Sequence, residues 1–410
     1  MKVYLVGGAV RDQLLGYPVK EQDWVVVGAT PSQMLKQGFQ QVGRDFPVFL
    51  HPKTREEHAL ARTERKMAPG YHGFSCDFNP KVTLRADLLR RDLTINAMAM
   101  DSDGRLIDPY GGHRDLTAKV LRHVSSAFVE DPVRVLRVAR FAARYHHLGF
   151  RLADETRALM YNMVTRGELG HLVAERVWKE WQRSLEEKNP EVFIETLRAC
   201  GALQVILPEL DVLFGIPNPC HYHPEVDSGI HSLLVLRASV ALSNDPVIRF
   251  AAITHDLGKG ATPMASWPAH HGHEELGLVV IKRLCERLRV PVEYGDFAAL
   301  TSRFHLKIHR LHGLKADTIV SIFDQTDAFR RRARFDMLLN VCEADAQGRG
   351  KEIDYRQGRD WRFLLDECTN ITAKMLMAEG YEGHAIKAGL YQHRVRCVEA
   401  HINSWKTHEK

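Results

Sequence analysis

The 410-residue chain is short of features that would assign it cheaply. It has seven cysteines (Cys76, Cys200, Cys220, Cys285, Cys342, Cys368 and Cys397), and no two are spaced C-x-x-C. That excludes a zinc ribbon, a dithiol redox motif and a disulfide framework, so the thiols read as reduced and mostly buried. No apolar run approaches the ~20 residues of a bilayer span, which leaves no membrane partner to expect. The opening apolar run meets Arg11 and Asp12 too soon for a secretory signal, and no small-residue cleavage site follows, so a cytoplasmic location is expected. Net charge is also small: 56 Lys and Arg against 51 Asp and Glu give +5. This is too little to mark a nucleic-acid binder, yet it permits a local basic face. There is no internal repeat and no low-complexity tract.

What is present is length and pattern. A chain of this size implies two or three domains. The first hundred residues alternate extended and helical signals, with β-rich runs at VYLV (3–6), WVVVG (24–28), VFLH (48–51) and EHALAR (57–62). Between them, TPSQMLKQG (30–38) predicts a helix with Thr30 as N-cap, Pro31 in the first turn, Gln33 completing a capping box and Gly38 as the stop. MAMDSDGRLID (98–108) predicts a hairpin turning at Asp103-Gly104. From Glu130 onward apolar residues recur at three- and four-residue spacing, which predicts helices. The Pro-rich stretch FGIPNPCHYHPEVDSG (214–229) is the best linker.

The first strand runs into Gly7-Gly8 and a helix carrying Arg11. Such a turn lets backbone N–H groups approach a phosphate, although the same pair also serves an ordinary tight turn. Glu21 and Asp23, two apart at the start of a strand, point the same way and suit Mg²⁺ beside a triphosphate. Glu57 can join them from a neighbouring strand as a third acid.

The ordered set GGAVRD, the acid pair before WVVVG, RRDLTINAMA (90–99), DPYGG (108–112) and EDPVRVLRVARFAAR (130–144) resembles tRNA nucleotidyltransferase, the CCA-adding enzyme, of the class that shares its head with bacterial poly(A) polymerases. The resemblance spans roughly residues 1–260. It implies Glu21 and Asp23 as ligands of catalytic Mg²⁺, with Glu21 standing where the family usually has aspartate, and Glu57 as the third catalytic carboxylate. It also implies ATP and CTP bound by Gly7, Gly8, Arg11, Arg91, Asp131, Arg134, Arg137 and Arg140, with tRNA as the partner. Adenine and cytosine both offer an amino donor beside a ring-nitrogen acceptor, so one carboxylate and one guanidinium accept A and C and reject G and U. Asp131 and Arg134, taken as neighbours on one helix, supply that pair. Arg137 and Arg140 continue the row toward triphosphate or RNA backbone, or form a solvated basic face.

Beyond the linker, HDLGKG (255–260) preceded by His231 resembles the HD phosphohydrolase superfamily. This implies His231, His255 and Asp256 as metal ligands, with His255 and Asp256 catalytic. Where the superfamily's distal Asp is expected the chain reads RFHLKIHR, placing Leu306 there and leaving His305 and His309 as the nearest ligands. An imidazole-rich site favours Ni²⁺ or another transition metal over Mg²⁺. His271 and His273 support a second ion or decorate a loop, and FRRRARF (329–335) contacts RNA or faces solvent.

The expected fold is α+β: a polymerase-β-like nucleotidyltransferase head (1–140), an all-helical neck and body (141–225), a helical HD domain (228–329) and a helical tail (330–410). The expected activity adds two CMP and one AMP to the 3′ end of tRNA, releasing pyrophosphate. HD-dependent 2′,3′-cyclic phosphodiesterase, 2′-nucleotidase and phosphatase activity is expected in 3′-end repair. Alternatives are a bacterial poly(A) polymerase, an HD nucleotide phosphohydrolase with a regulatory head, and a non-enzymatic RNA-binding factor. The chain is expected to be a monomer or homodimer.

Overall fold

A computed structural model describes the chain except residues 20, 43–47, 67–73, 220–226, 350–353 and 409–410. Cys220 and the six residues after it in the Pro-rich linker therefore lie outside the described residues. The chain divides into two compact units, Met1–Ile206 and Leu207–Lys410.

The first unit opens with β1 (Lys2–Val6), α1 (Gly8–Leu14), β2 (Asp23–Val27), α2 (Pro31–Lys36), β3 (Gln40–Gln41), β4 (Val48–Leu50) and β5 (Glu57–Leu60). A hairpin, β6 (Thr63–Lys66) with β7 (Phe74–Asp77), is followed by α3 (Leu84–Leu89), β8 (Ala99–Met100), β9 (Leu106–Ile107) and α4 (Gly112–Thr117). Seven strands form one sheet in the order β3-β4-β5-β2-β1-β8-β9. Alternation explains how it is covered: Val25 joins Val6, Leu88 and Ala99 in one core, while its neighbour Val26 joins Met34, Phe49 and Leu60 in another. The capping box predicted for α2 is present, with Thr30 and Gln33 satisfying each other's backbone N–H groups, and the expected hairpin is β8 paired with β9. The unit continues with β10 (Val120–Leu121), α5 (Val133–Tyr145), β11 (Arg151–Leu152), α6 (Asp154–Thr165), α7 (Ala174–Leu185), α8 (Glu191–Ala199) and α9 (Ala202–Ile206). Val135, Leu136, Val138 and Ala139 make α5 a central helix.

The second unit is helical among its described residues: α10 (Pro208–Asp211), α11 (Ser228–Leu242), α12 (Pro246–Thr254), α13 (His273–Leu288), α14 (Val292–His309), α15 (Ala316–Gln325), α16 (Arg332–Gln347), α17 (Arg356–Asn370), α18 (Ala373–Ala378) and α19 (His384–His408). After α12 the chain tightens into a short 3-10 turn, Leu257–Ala261, against which α13 packs. Gly258 makes this possible, since a Cβ there would collide with the His273 carbonyl and the Gly277 backbone. In this way HDLGKG and the start of α13 are brought together. No described helix is long and apolar enough to cross a membrane.

Candidate active sites

A cavity of about 790 Å³ in the first unit is lined by Gly7, Gly8, Arg11, Asp23, Arg91, Asp131, Arg134, Arg137 and Arg140, together with Arg62, Arg90, Asp92, Arg144, Arg176, Lys179, Glu180 and Arg183. Eleven Lys and Arg side chains face four carboxylates across it. Such a space suits a polyanion. Gly7 turns the chain from β1 into α1 at φ 68°, and a Cβ on it would lie 2.7 Å from Arg91 Nη1. Arg91 also donates to the Asn96 carbonyl, and Arg11 donates to the Asn96 side chain.

Asp23 begins β2 and is the register partner of Glu57 at the start of parallel β5, so two carboxylate-bearing residues stand side by side. Glu21 lies two residues before the strand and is close enough to act on Asp23 electrostatically. Burial pushes the Asp23 carboxyl up, the Arg91 charge opposes this, and the Glu21 charge adds to it. Grouped acids that resist sharing negative charge fit a hard divalent cation, whose oxygen ligands they supply.

The structure places the expected base-reading residues and the basic row beside them differently in two respects. Asp131 is not on α5. It precedes the helix in extended conformation and accepts the backbone N–H of Val133. Its carboxylate is gripped by Arg176 of α7, Nη1 to Oδ1 at 3.1 Å and Nη2 to Oδ2 at 2.7 Å. Arg134, buried on α5, donates to the Ala127 carbonyl at 2.6 Å. Arg137 and Arg140 are not a free basic row: Arg137 Nε binds Asp92 at 2.7 Å and Arg140 Nε binds Glu180 at 2.6 Å. Burial alone would raise the Asp92 carboxyl, but the Arg137 charge together with hydrogen bonds from Asn96, Arg137 and the Leu93 N–H outweighs it and holds that carboxyl well below the usual range. Arg176 was missed because ERVWKEW shows which face is buried, through Val177, Trp178 and Trp181, without showing which carboxylate its cations meet.

In the second unit His231, His255 and Asp345 offer ligand atoms within 4.8 Å of one another, as do Asp256, His273 and His305. Both sets are buried. His231 Nε2 lies 3.0 Å from Asp345 Oδ1 and 4.0 Å from Asp256 Oδ2. A carboxylate does reach His231, but it comes from Asp345 on α16 and not from near position 306, where Leu306 is simply part of α14. His305 stands in the second set, 3.6 Å from Asp256 Oδ1, with His273 at 3.2 Å from the same oxygen. His309 Nε2 lies 2.7 Å from Asp345 Oδ2.

Three of these imidazoles are aimed by the main chain. Nδ1 of His255, His273 and His305 meets the carbonyl three residues earlier (Ala252, His270 and Ser302), each at 2.8 Å. A carbonyl only accepts, so Nδ1 carries the hydrogen and a neutral ring keeps its lone pair on Nε2. His255 Nε2 and Asp256 Oδ1 are buried without a hydrogen-bond partner. Buried orphan acceptors converging from several helices fit a bound cation. Burial opposes the charge on Asp256, yet a protonated His255, itself pushed up by Asp256, and Lys259 at 2.6 Å hold its carboxyl well below the usual range; Nε2 of His255 is an acceptor only in the ring's neutral form. His305 is pushed down to about 3, by burial and offset only in part by Asp256, so it stays neutral. His271 belongs to neither set. In the FRRRARF run, Arg330 and Arg331 pair with Asp327, and Arg332 pairs with Asp336 and Asp366.

Residues 3–122 match the family model of the poly A polymerase head domain, 149–214 that of the probable RNA- and SrmB-binding site of polymerase A, and 229–332 that of the HD domain. The last ends short of Asp345. Fold and clefts thus define a nucleotidyltransferase of the poly(A) polymerase head class joined to an HD domain. At full length the chain is 64% identical over 410 residues to the multifunctional CCA protein of Legionella pneumophila strain Philadelphia 1, covering 100% of both. It is 55% identical over 411 residues to that of Teredinibacter turnerae, again covering 100% of both. The chain belongs to the multifunctional CCA protein family. Among solved structures, the apo form II of a CCA-adding enzyme superposes with TM-score 0.67 at 20% identity, covering 100% of this chain and 92% of the other. The Thermotoga maritima CCA-adding enzyme complexed with tRNA gives TM-score 0.62 at 20% identity, covering 98% and 91%. At that identity these likenesses speak to the fold.

Proposed function

We propose that the chain adds CCA to the 3′ end of tRNA, transferring CMP twice and AMP once from CTP and ATP with release of pyrophosphate, in the cytoplasm. The observation that carries this reading is the Asp23–Glu57 register pair at a cavity lined by eleven cations, in a chain with full-length relatives named multifunctional CCA protein. Glu21, Asp23 and Glu57 would hold Mg²⁺. When bound, that ion lowers the pKa of the attacking 3′ hydroxyl and neutralises charge on the triphosphate. The residues themselves bind and orient: the Gly7-Gly8 backbone, Arg11 and Arg91 receive phosphate oxygens, and Arg137 and Arg140 stay pinned to Asp92 and Glu180 as fixed positive walls. Asp131 and Arg134 select the base once the nucleotide competes for the groups they now hold, namely Arg176 and the Ala127 carbonyl. Residues 1–140 act as head and 141–225 as neck and body.

The HD domain (228–329) is assigned a phosphohydrolase activity on 2′,3′-cyclic, 2′ and terminal phosphates, with a helical tail after 330. His231, His255, Asp256 and Asp345, backed by His273 and His305, would hold Ni²⁺ or a comparable borderline ion, which an imidazole-rich donor set prefers to Mg²⁺. Such an ion supplies Lewis acidity toward a phosphoryl oxygen. The deciding experiment is incorporation of labelled CTP and ATP into tRNA lacking its 3′ end, beside hydrolysis of 2′,3′-cyclic nucleotide across metals. Addition of A alone in long tails would indicate a poly(A) polymerase. No incorporation would leave only the hydrolase.

A further inference from the structure

A third group of donors lies apart from both sites, where α17 packs against α19. Cys397 and His401 sit one turn apart on α19, a spacing that stacks them on the same helix face. Glu367 comes from α17. One ligand atom from each of the three lies within 4.8 Å of the other two, and all three residues are half-buried. His401 Nε2 is 3.3 Å from Glu367 Oε2. The imidazole is held edge-on to Phe363 with ring centres 4.9 Å apart, so its direction is set by packing.

The remaining partner is Cys368, next to Glu367 in sequence and fully buried. Its Sγ donates to the Arg394 carbonyl at 3.9 Å; burial and the Glu367 charge push the Cys397 thiol up, and the neighbouring Cys368 thiol opposes this only in part. Thiolate, imidazole and carboxylate from two helices make a mixed donor set suited to Zn²⁺ or a neighbouring borderline ion and poorly suited to Mg²⁺ or Ca²⁺. Partial exposure gives an entry path and leaves room for water at the fourth position.

We propose that Glu367, Cys397 and His401 form a transition-metal site that staples α17 to α19, with Cys368 positioning the Cys397 sulfur. On binding, the Cys397 thiol releases its proton to solvent as the metal–sulfur bond forms, and the His401–Glu367 hydrogen bond gives way to two metal bonds. The ion is structural, and the site depends on neither the head nor the HD cluster.

The test uses the full-length chain, reduced with a phosphine and titrated anaerobically with Co²⁺. The ligand sets assigned to head and HD domain contain no thiol, so a thiolate-to-cobalt charge-transfer band in the near ultraviolet reports this site alone. Expected are one equivalent of that band in the wild type, its loss in Cys397→Ser, and an affinity about 10–100-fold weaker in Cys368→Ala, the range seen when a group supporting a ligand is removed. Zn²⁺ should compete the band away and Mg²⁺ should not. Nucleotide addition by Cys397→Ser confirms that the variant is folded. Absence of the band at saturating Co²⁺, or its survival in Cys397→Ser, overturns the assignment.

Discussion

Gly7→Ala isolates the backbone turn on which the head cleft rests. Gly7 holds φ 68° and ψ −125°, a combination that a side chain disfavours by about 1–3 kcal/mol. The added Cβ also meets Arg91 Nη1 at 2.7 Å. Arg91 must then move away from the Asn96 carbonyl and from Asp87 Oδ2, now 3.4 and 3.3 Å from its guanidinium. Both bonds are long, so their weakening adds about 1 kcal/mol, for a total of roughly 2–4 kcal/mol. In a unit of this size each kcal/mol moves the midpoint by about 2–4 °C, so the transition of the first unit should fall by about 4–16 °C. Gly8→Ala is the internal control. Gly8 has ordinary helical φ, its new Cβ would touch Arg11 Nη2 at 3.4 Å, an ordinary contact, and alanine in a helix gains up to about 1 kcal/mol over glycine. Its midpoint should hold or rise. Calorimetry of both variants, with CTP incorporation measured alongside, decides the matter. Equal midpoints and equal incorporation in the two variants would refute the reasoning.

Glu21→Ala and Asp23→Ala should each lower nucleotide addition at least about 100-fold, since metal stabilisation of the transition state is worth several kcal/mol, while 2′,3′-cyclic nucleotide hydrolysis persists; full incorporation by both would remove the metal assignment. Asp131→Ala and Arg134→Ala should let UTP or GTP compete, at about 1–3 kcal/mol of lost discrimination by analogy with base readout on DNA, and Arg176→Ala should shift the same CTP-to-UTP ratio by freeing Asp131. A uniform loss of affinity for all four nucleotides would make these residues positioning groups. Asp345→Ala should abolish transition-metal-dependent hydrolysis and leave CCA addition intact; retained hydrolysis would return the distal ligand to His305 or His309. Acid titration tests the Asp92–Arg137 pair. Because Arg137 depresses the Asp92 carboxyl in the folded state, the pair stabilises above the unfolded pKa of about 3.9 and loses that contribution as pH falls toward the lower native value. Arg137→Met should therefore destabilise at neutral pH by about 1–3 kcal/mol, discounted for the guanidinium's one-third exposure, with the gap from wild type closing as pH falls. A gap independent of pH would sink that account.

Local chemistry was legible in the sequence, and long-range pairing was not. The α2 capping box, the β8–β9 hairpin and the first strands follow from signals a few residues apart, which is the range over which backbone propensity acts. The acids of the head were legible for the same reason: Asp23 opens a strand, and Glu57 opens another that pairs with it in register. Asp345 was not legible, because α16 shows no mark on it and the residue becomes a partner of His231 only through helix packing. Arg176 illustrates the same limit. Only the helical placement of Asp131 was misjudged, since Pro132 caps α5 and leaves Asp131 outside it, so counting three residues along a helix did not apply.

The Nδ1 hydrogen bonds of His255, His273 and His305 all end on main-chain carbonyls, and this has a consequence for how the sequence can vary. An imidazole oriented by an aspartate loses its direction whenever that aspartate mutates. Here the acceptor is supplied by every amino acid alike, so no substitution at Ala252, His270 or Ser302 can delete it while the backbone keeps its course. The aim of three rings is inherited from the local winding of the chain, and drift in the surrounding side chains leaves it unchanged.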